Sequence, residues 1–190
     1  IEFVTGVLIL PQRQTVLVAK QATDLDLFSG QRFRMGVGVG WNYVEYDALG
    51  QDFAARGARV DEQIGFLRQL WTQDVFSFKG RFDMIDRGNL NLRPKRSIPI
   101  WIGGNSEAAF RRGATLGDGF IFAGPPERAF HGLERVRALL KEQGRDAKGF
   151  GLDWVMSTTG NSQQVLDQMR RWQDAGGTHN SFHTMRMGFR

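Results

Sequence analysis

The chain has 190 residues, 41% hydrophobic and 24% charged, with no cysteine and a formal net charge of +5. That composition supports a folded core and excludes disulfides, thiolate metal sites and a cysteine nucleophile. The arginines that carry most of the basic excess are spread along the sequence, densest at Arg93, Lys95 and Arg96, whereas a nucleic-acid binder concentrates its charge.

A solvated surface is the plainer reading of those arginines, and attraction for an anionic cofactor or substrate is the second. Apolar runs such as Val7–Leu10 fall short of a membrane helix or a signal core. His179 and His183 are four apart but lie in an extended segment, off any common helix face, and His131 is remote in sequence. No metal site is expected. The absence of cysteine fits a cytoplasmic protein. The sequence starts at Ile1 and stops at Arg190 without a closing element, and both ends read as trimmed.

In chain order, the first expected strand is Val4 to Leu10, ended by Pro11. A helix follows from Thr15 to Phe28, its inward face carrying Leu17 or Val18, Ala22, Leu25 and Phe28, with Gly30 just past its end. The second strand is Phe33 to Gly40, and an exposed loop runs from Trp41 to Arg56. Val60, Ile64, Leu67 and Trp71 make one helical stripe. Residues 75–84 alternate around Gly80 and predict a hairpin, and 89–97 form a linking loop.

The third strand is Ile98 to Ile102, followed by a helix over Glu107 to Leu116. The fourth strand is Gly119 to Ala123. Pro125 and Pro126 open a helix with Phe130, Leu133, Val136 and Leu140 on one side. The fifth strand is Phe150 to Met156. Ser162 is the expected cap of a helix carrying Val165, Met169 and Trp172. The sixth strand is Asn180 to Met185.

These strands are continuously apolar, as in a parallel sheet covered by helices. The fold class is therefore α/β, either an open doubly wound sheet or a barrel. A complete (β/α)8 barrel takes about 250 residues, so about six βα units are present here.

Ligands of such folds bind at the C-terminal ends of the strands. There, Gly103, Gly104, Asn105 and Ser106 turn a strand straight into a helix. Bare backbone N–H groups at a helix start form an anion site; the same residues also suit a tight turn with an ordinary cap, and Glu107 puts a carboxylate in the first turn. Gly36, Gly38 and Gly40 share one side of their strand, leaving room for a planar ligand or for neighbouring side chains. Thr5-Gly6-Val7 can mark a bulge. Gly117-Asp118 reads as turn chemistry. No hydrolase, Walker or kinase motif is present.

Five pieces in order, Thr5-Gly6-Val7-Leu8-Ile9-Leu10-Pro11, Leu27-Phe28-Ser29-Gly30 leading to Arg34–Trp41, Arg56–Glu62, Pro99–Ser106 and Leu116–Gly119, together resemble the luciferase-like monooxygenase superfamily. They are most similar to its F420-dependent branch. The resemblance implies a TIM-like (β/α)8 barrel with an inserted hairpin. Residues 1–190 would be a single barrel domain lacking the first two strands and the closing helix.

It implies further that a non-proline cis peptide at Gly6-Val7 supports a cofactor ring, that Gly40, Trp41 and Asn42 line the pocket, and that Gly103, Gly104, Asn105 and Ser106 take the cofactor phosphate. The cofactor would be coenzyme F420, passing a hydride to or from a small organic substrate. FMN with oxygen and a flavin reductase partner is the alternative, and a non-catalytic binding protein on a decayed barrel is a third reading. A homodimer is also implied. The catalytic histidine of several relatives is absent. Trp41 stands where some F420 enzymes carry glutamate, so no acid or base is assigned. Glu45 is a candidate pocket carboxylate, with a surface role as the plainer alternative.

Overall fold

The computed structural model describes residues 2–157 and 161–183. The chain falls into two compact units, Ile1–Ile100 and Trp101–Arg190.

In the first unit, β1 (Phe3–Val4) and β2 (Leu8–Ile9) both pair in parallel with β3 (Phe33–Gly38). The single strand expected over Val4–Leu10 is thus divided. Val4 sits opposite Arg34 and Leu8 opposite Val37, so four residues advance against three. The extra residue is a bulge. Thr5 Oγ1 donates to Gly36 O at 2.8 Å, engaging a strand carbonyl with a side chain inside the break. Leu10–Gln12 then form a 3-10 turn rather than the strand's end.

Helix α1 (Thr15–Phe28) has the expected span, but its buried stripe is Thr15, Val18, Ala19, Ala22, Thr23 and Asp26. Leu17, Leu25 and Phe28 are exposed. The reason is polar: Asp26, fully buried, accepts from Arg96 Nη2 at 2.8 Å, and the same nitrogen donates to Phe33 O at 2.9 Å. That pair fixes which side of α1 faces inward.

The segment expected as a loop contains α2 (Tyr43–Ala48), started by Asn42, whose side-chain oxygen accepts from Val44 N at 3.2 Å. Helix α3 (Arg56–Thr72) buries Val60, Ile64, Leu67 and Trp71 as the periodicity requires.

The hairpin is β4 (Phe76–Lys79) with β5 (Met84–Gly88), antiparallel. Phe78 stacks on Phe66 of α3 at 4.4 Å. The Glu62 carboxylate accepts from the backbone N–H groups of Arg81, Phe82 and Asp83 at 2.6 to 2.9 Å. Burial pushes that carboxyl up, and the three donors outweigh it, holding it below its ordinary value.

In the second unit, β6 (Ile100–Gly103), β7 (Gly119–Ala123), β8 (Gly151–Ser157) and β9 (His179–His183) pair in parallel in that order. Helices α4 (Glu107–Leu116), α5 (Pro126–Glu142) and α6 (Ser162–Asp174) alternate with them. The third expected strand begins at Ile100 rather than Ile98. Residues 184–185 of the last lie outside the described residues. Asn161, not Ser162, caps α6, because Asn161 and Gln164 complete a capping box.

β6, β7 and β8 are buried on both faces, which explains their continuous apolarity, whereas β9 runs from half-buried to exposed. One face carries Phe120, Phe122 and Trp154 against Trp172 and Phe130. On the other, the Trp101 indole covers Gly119 and Gly151, where a Cβ would come within 2.4 and 1.8 Å of the ring. Asp153 is the buried exception, with Oδ2 accepting from Ser181 Oγ at 2.7 Å.

Candidate functional site

The candidate residues occupy strand ends in each unit. In the first, the Gly6–Val7 peptide is cis, as is Asn91–Leu92. Gly6 is exposed, and a Cβ built there meets nothing within 4 Å. The bulge therefore presents a bare backbone ledge. Gly40 has φ +69°, and its Cβ position lies 2.9 Å from Ile9 Cγ2. The chain can take that conformation and that close approach only with glycine. Gly40 is thus required for the turn itself, apart from any pocket lining.

Trp41 is 86% exposed. Asn42 is committed to capping α2, and its Nδ2 donates to Glu45 Oε1 at 3.1 Å. Glu45 Oε2 accepts from Gln12 Nε2 at 3.1 Å. Gln12, Glu45 and Asn42 therefore form a hydrogen-bonded chain joining the segments that leave β2 and β3. Tyr46, fully buried, donates its hydroxyl to Val39 O. Burial pushes the phenol up, and Arg56 and Arg59 partly offset that.

Sequence reasoning missed α2, Tyr46 and these two arginines. The available signal was Asn42 with Glu45 three residues later, the spacing of a helix start.

In the second unit, Gly104 takes φ +150°, and a Cβ there would stand 2.8 Å from Ala109 Cβ. The turn packs too closely on Ala109 for any side chain at Gly104, so it presents bare backbone there. Ser106 Oγ accepts from Ala109 N at 3.2 Å, so its hydroxyl is the N-cap of α4. The Asn105 amide, oriented by its partners, donates to Gly104 O and Ala123 O at 3.2 Å, tying the turn to the end of β7.

Glu107, the carboxylate that argued against an anion here, is turned away. Arg135 grips both its oxygens, at 3.0 and 2.7 Å, and Arg111 Nε is 2.9 Å from Oε1. Hydrogen bonding to Arg135 holds its carboxyl below the ordinary range and raises Arg135 in turn. The start of α4 keeps first-turn backbone N–H groups that the helix itself does not use, apart from Ala109 N, and a neutralised acid.

Among the described residues no His, Asp and Glu group could hold a metal ion, and no helix is long and apolar enough to cross a membrane.

A family model described as luciferase-like monooxygenase matches residues 1–153. The chain belongs to that family. It is 38% identical over 173 residues to an uncharacterized protein of Mycobacterium tuberculosis, covering 90% of this chain and 58% of that protein. It is 34% identical over 151 residues to the pyrimidine monooxygenase RutA of Allorhizobium ampelinum, covering 74% of this chain and 41% of the relative. The chain thus spans 58% of the length of the first of these relatives and 41% of the second.

Among solved structures, an F420-dependent secondary alcohol dehydrogenase bound to an F420–acetone adduct superposes with a TM-score of 0.82 at 14% identity, over 96% of this chain and 73% of that one. That likeness shows the fold class: α/β of the TIM-like barrel type, present in part. Both cofactor classes occur among the proteins it resembles, which include an FMNH2-dependent dimethylsulfone monooxygenase of Pseudomonas fluorescens and an F420-dependent glucose-6-phosphate dehydrogenase of Amycolatopsis mediterranei.

Proposed function

We propose that the protein is an F420-dependent oxidoreductase acting on a small organic substrate. The observation that carries this reading is the bare backbone of the turn at Gly104, held close against Ala109 at the start of α4, with the first-turn acid Glu107 neutralised by Arg135 and Arg111. Gly103, Gly104 and Asn105 would hold the cofactor phosphate there, and Ser106 would shape the turn as its cap. In the first unit, the open ledge at Gly6 and Val7 would support a flat ring, with Gly40, Trp41 and Asn42 at the neighbouring strand end.

The bound deazaflavin supplies hydride chemistry, and the protein's part is orientation and exclusion of water. The structural likeness to an F420-dependent secondary alcohol dehydrogenase supports this choice. Similarity to the pyrimidine monooxygenase RutA favours the second reading, an FMN-dependent monooxygenase served by a flavin reductase.

The test is a parallel fluorescence titration of the full-length protein with F420 and with FMN. Tight binding of F420, lost in Gly104→Val, is the expected result. Preference for FMN moves the protein to the monooxygenases. Binding of neither by folded protein overturns the redox reading and leaves a non-catalytic binding protein.

A further inference from the structure

The segments that leave β2 and β3 bring two arginines, Arg56 and Arg59, together beside the backbone of a third, Arg13. Arg13 follows the 3-10 turn after β2, and Arg56 opens α3. Arg56 and Arg59 are three apart on that helix and share a face. Both act on the buried Tyr46 phenol, which is bonded to Val39 O directly after β3. Arg59 Nη2 reaches Arg13 O at 3.4 Å. Arg56 lies over the Phe53 ring at 3.7 Å and donates Nη1 to Phe53 O at 2.6 Å.

These cations lack anions. Among the described residues none of the three makes an ion pair, whereas Arg96 and Arg135 each have carboxylate partners. The acid of the same segment, Glu45, has its oxygens bonded to the Gln12 and Asn42 amides. The Nε atoms of Arg56 and Arg59 are buried with no acceptor. A buried donor left unmade is costly, and guanidinium forks match a planar carboxylate. On the segment that carries Tyr46, the residues Trp41, Tyr43 and Val44 expose apolar surface.

We propose that Arg56 and Arg59 form a carboxylate site at the C-terminal ends of β2 and β3, and that it receives the acid group of a small organic acid whose apolar body lies on the Trp41–Val44 segment. That this acid is the substrate rests on the oxidoreductase reading; that the site binds it does not.

Benzoate is the probe, with inorganic phosphate beside it, titrated calorimetrically into the full-length protein. Benzoate binds to the wild type, and Arg56→Gln and Arg59→Gln each weaken it about ten- to a hundredfold. Arg59→Lys recovers only part of the loss, since it keeps the charge without the fork. Failure of the wild type to bind benzoate, unchanged affinity in both glutamine variants, or preference for phosphate overturns the proposal.

Should those variants unfold, Arg56→Lys and Arg59→Lys decide, because they keep the charge and the stem but not the fork, and unchanged affinity in both refutes the site. The F420 and FMN titrations run alongside separate the two readings. Cofactor binding without benzoate binding defeats this site alone, and benzoate binding without cofactor binding defeats the redox reading alone.

Discussion

The strand ends of the two units solve different problems. In the second unit, β6 runs through Gly103 and Gly104 into α4 with one capping serine, and the turn offers backbone. In the first, β1 and β2 are offset by a bulge, Gly40 must take a positive φ, and a chain of amides and a carboxylate joins the segments. A site built of backbone depends on what is missing from side chains. A site built of side chains depends on a network that holds them. The two should therefore respond differently to substitution.

The largest expected effect tests the frame of the second unit. Trp172 is fully buried among Phe122, Phe130 and Trp154, and its Nε1 donates to His179 O at 2.9 Å. Trp172→Ala should cost about 3–5 kcal/mol in denaturant unfolding. A loss below about 1 kcal/mol would mean that this aromatic cluster does not hold β7 to β9 in place.

Next comes the pair Gly104→Val and Gly6→Ala. The first forces a branched side chain onto a φ of +150° and into Ala109, and should cost about 1–3 kcal/mol along with cofactor binding. The second adds a methyl to open space and should change stability by less than about 0.5 kcal/mol. If Gly6 supports a ring, the cofactor titration still weakens in Gly6→Ala. An unaltered titration refutes the ledge proposed for the first unit and leaves the turn of the second untouched.

Glu62 tests whether the hairpin depends on one charge. Its three backbone donors hold the folded carboxyl below the ordinary 4.5. The stabilisation is therefore complete at neutral pH, above the unfolded value, and disappears as pH falls through the folded value. Glu62→Gln should cost about 1 kcal/mol at pH 7, discounted for partial exposure. The gap from wild type should close below about pH 4.5. A gap constant down to pH 3 would show that the shape of the side chain, not its charge, anchors the hairpin.

The regular parts were legible because apolar period and turn residues agree there. The spans of α1 and α4, the α3 stripe and the hairpin follow from them. What escaped was set by polar partners far apart in sequence. Arg96 reaches back to Asp26 and turns α1 so that Leu25 and Phe28 face out. Thr5 bonds Gly36 across the bulge. Tyr46, Arg56 and Arg59 converge only once α2 folds. At the candidate site, the glycine turn could be read locally, but the neutralisation of Glu107 by Arg135, 28 residues on, could not.

The smallest effect separates two roles for one hydroxyl. Ser106 caps α4 through Ala109 N, so Ser106→Ala should cost about 1 kcal/mol. It alone cannot say whether the same oxygen also meets a phosphate. Ser106→Asp can, because aspartate caps a helix as well as serine does and suits its positive end. Stability should then stay at the wild-type level, while the added negative charge repels any phosphate seated in the Gly104 turn. A variant as stable as wild type that binds F420 and FMN no worse would place the phosphate elsewhere, and the second unit's turn would be architecture rather than a binding site.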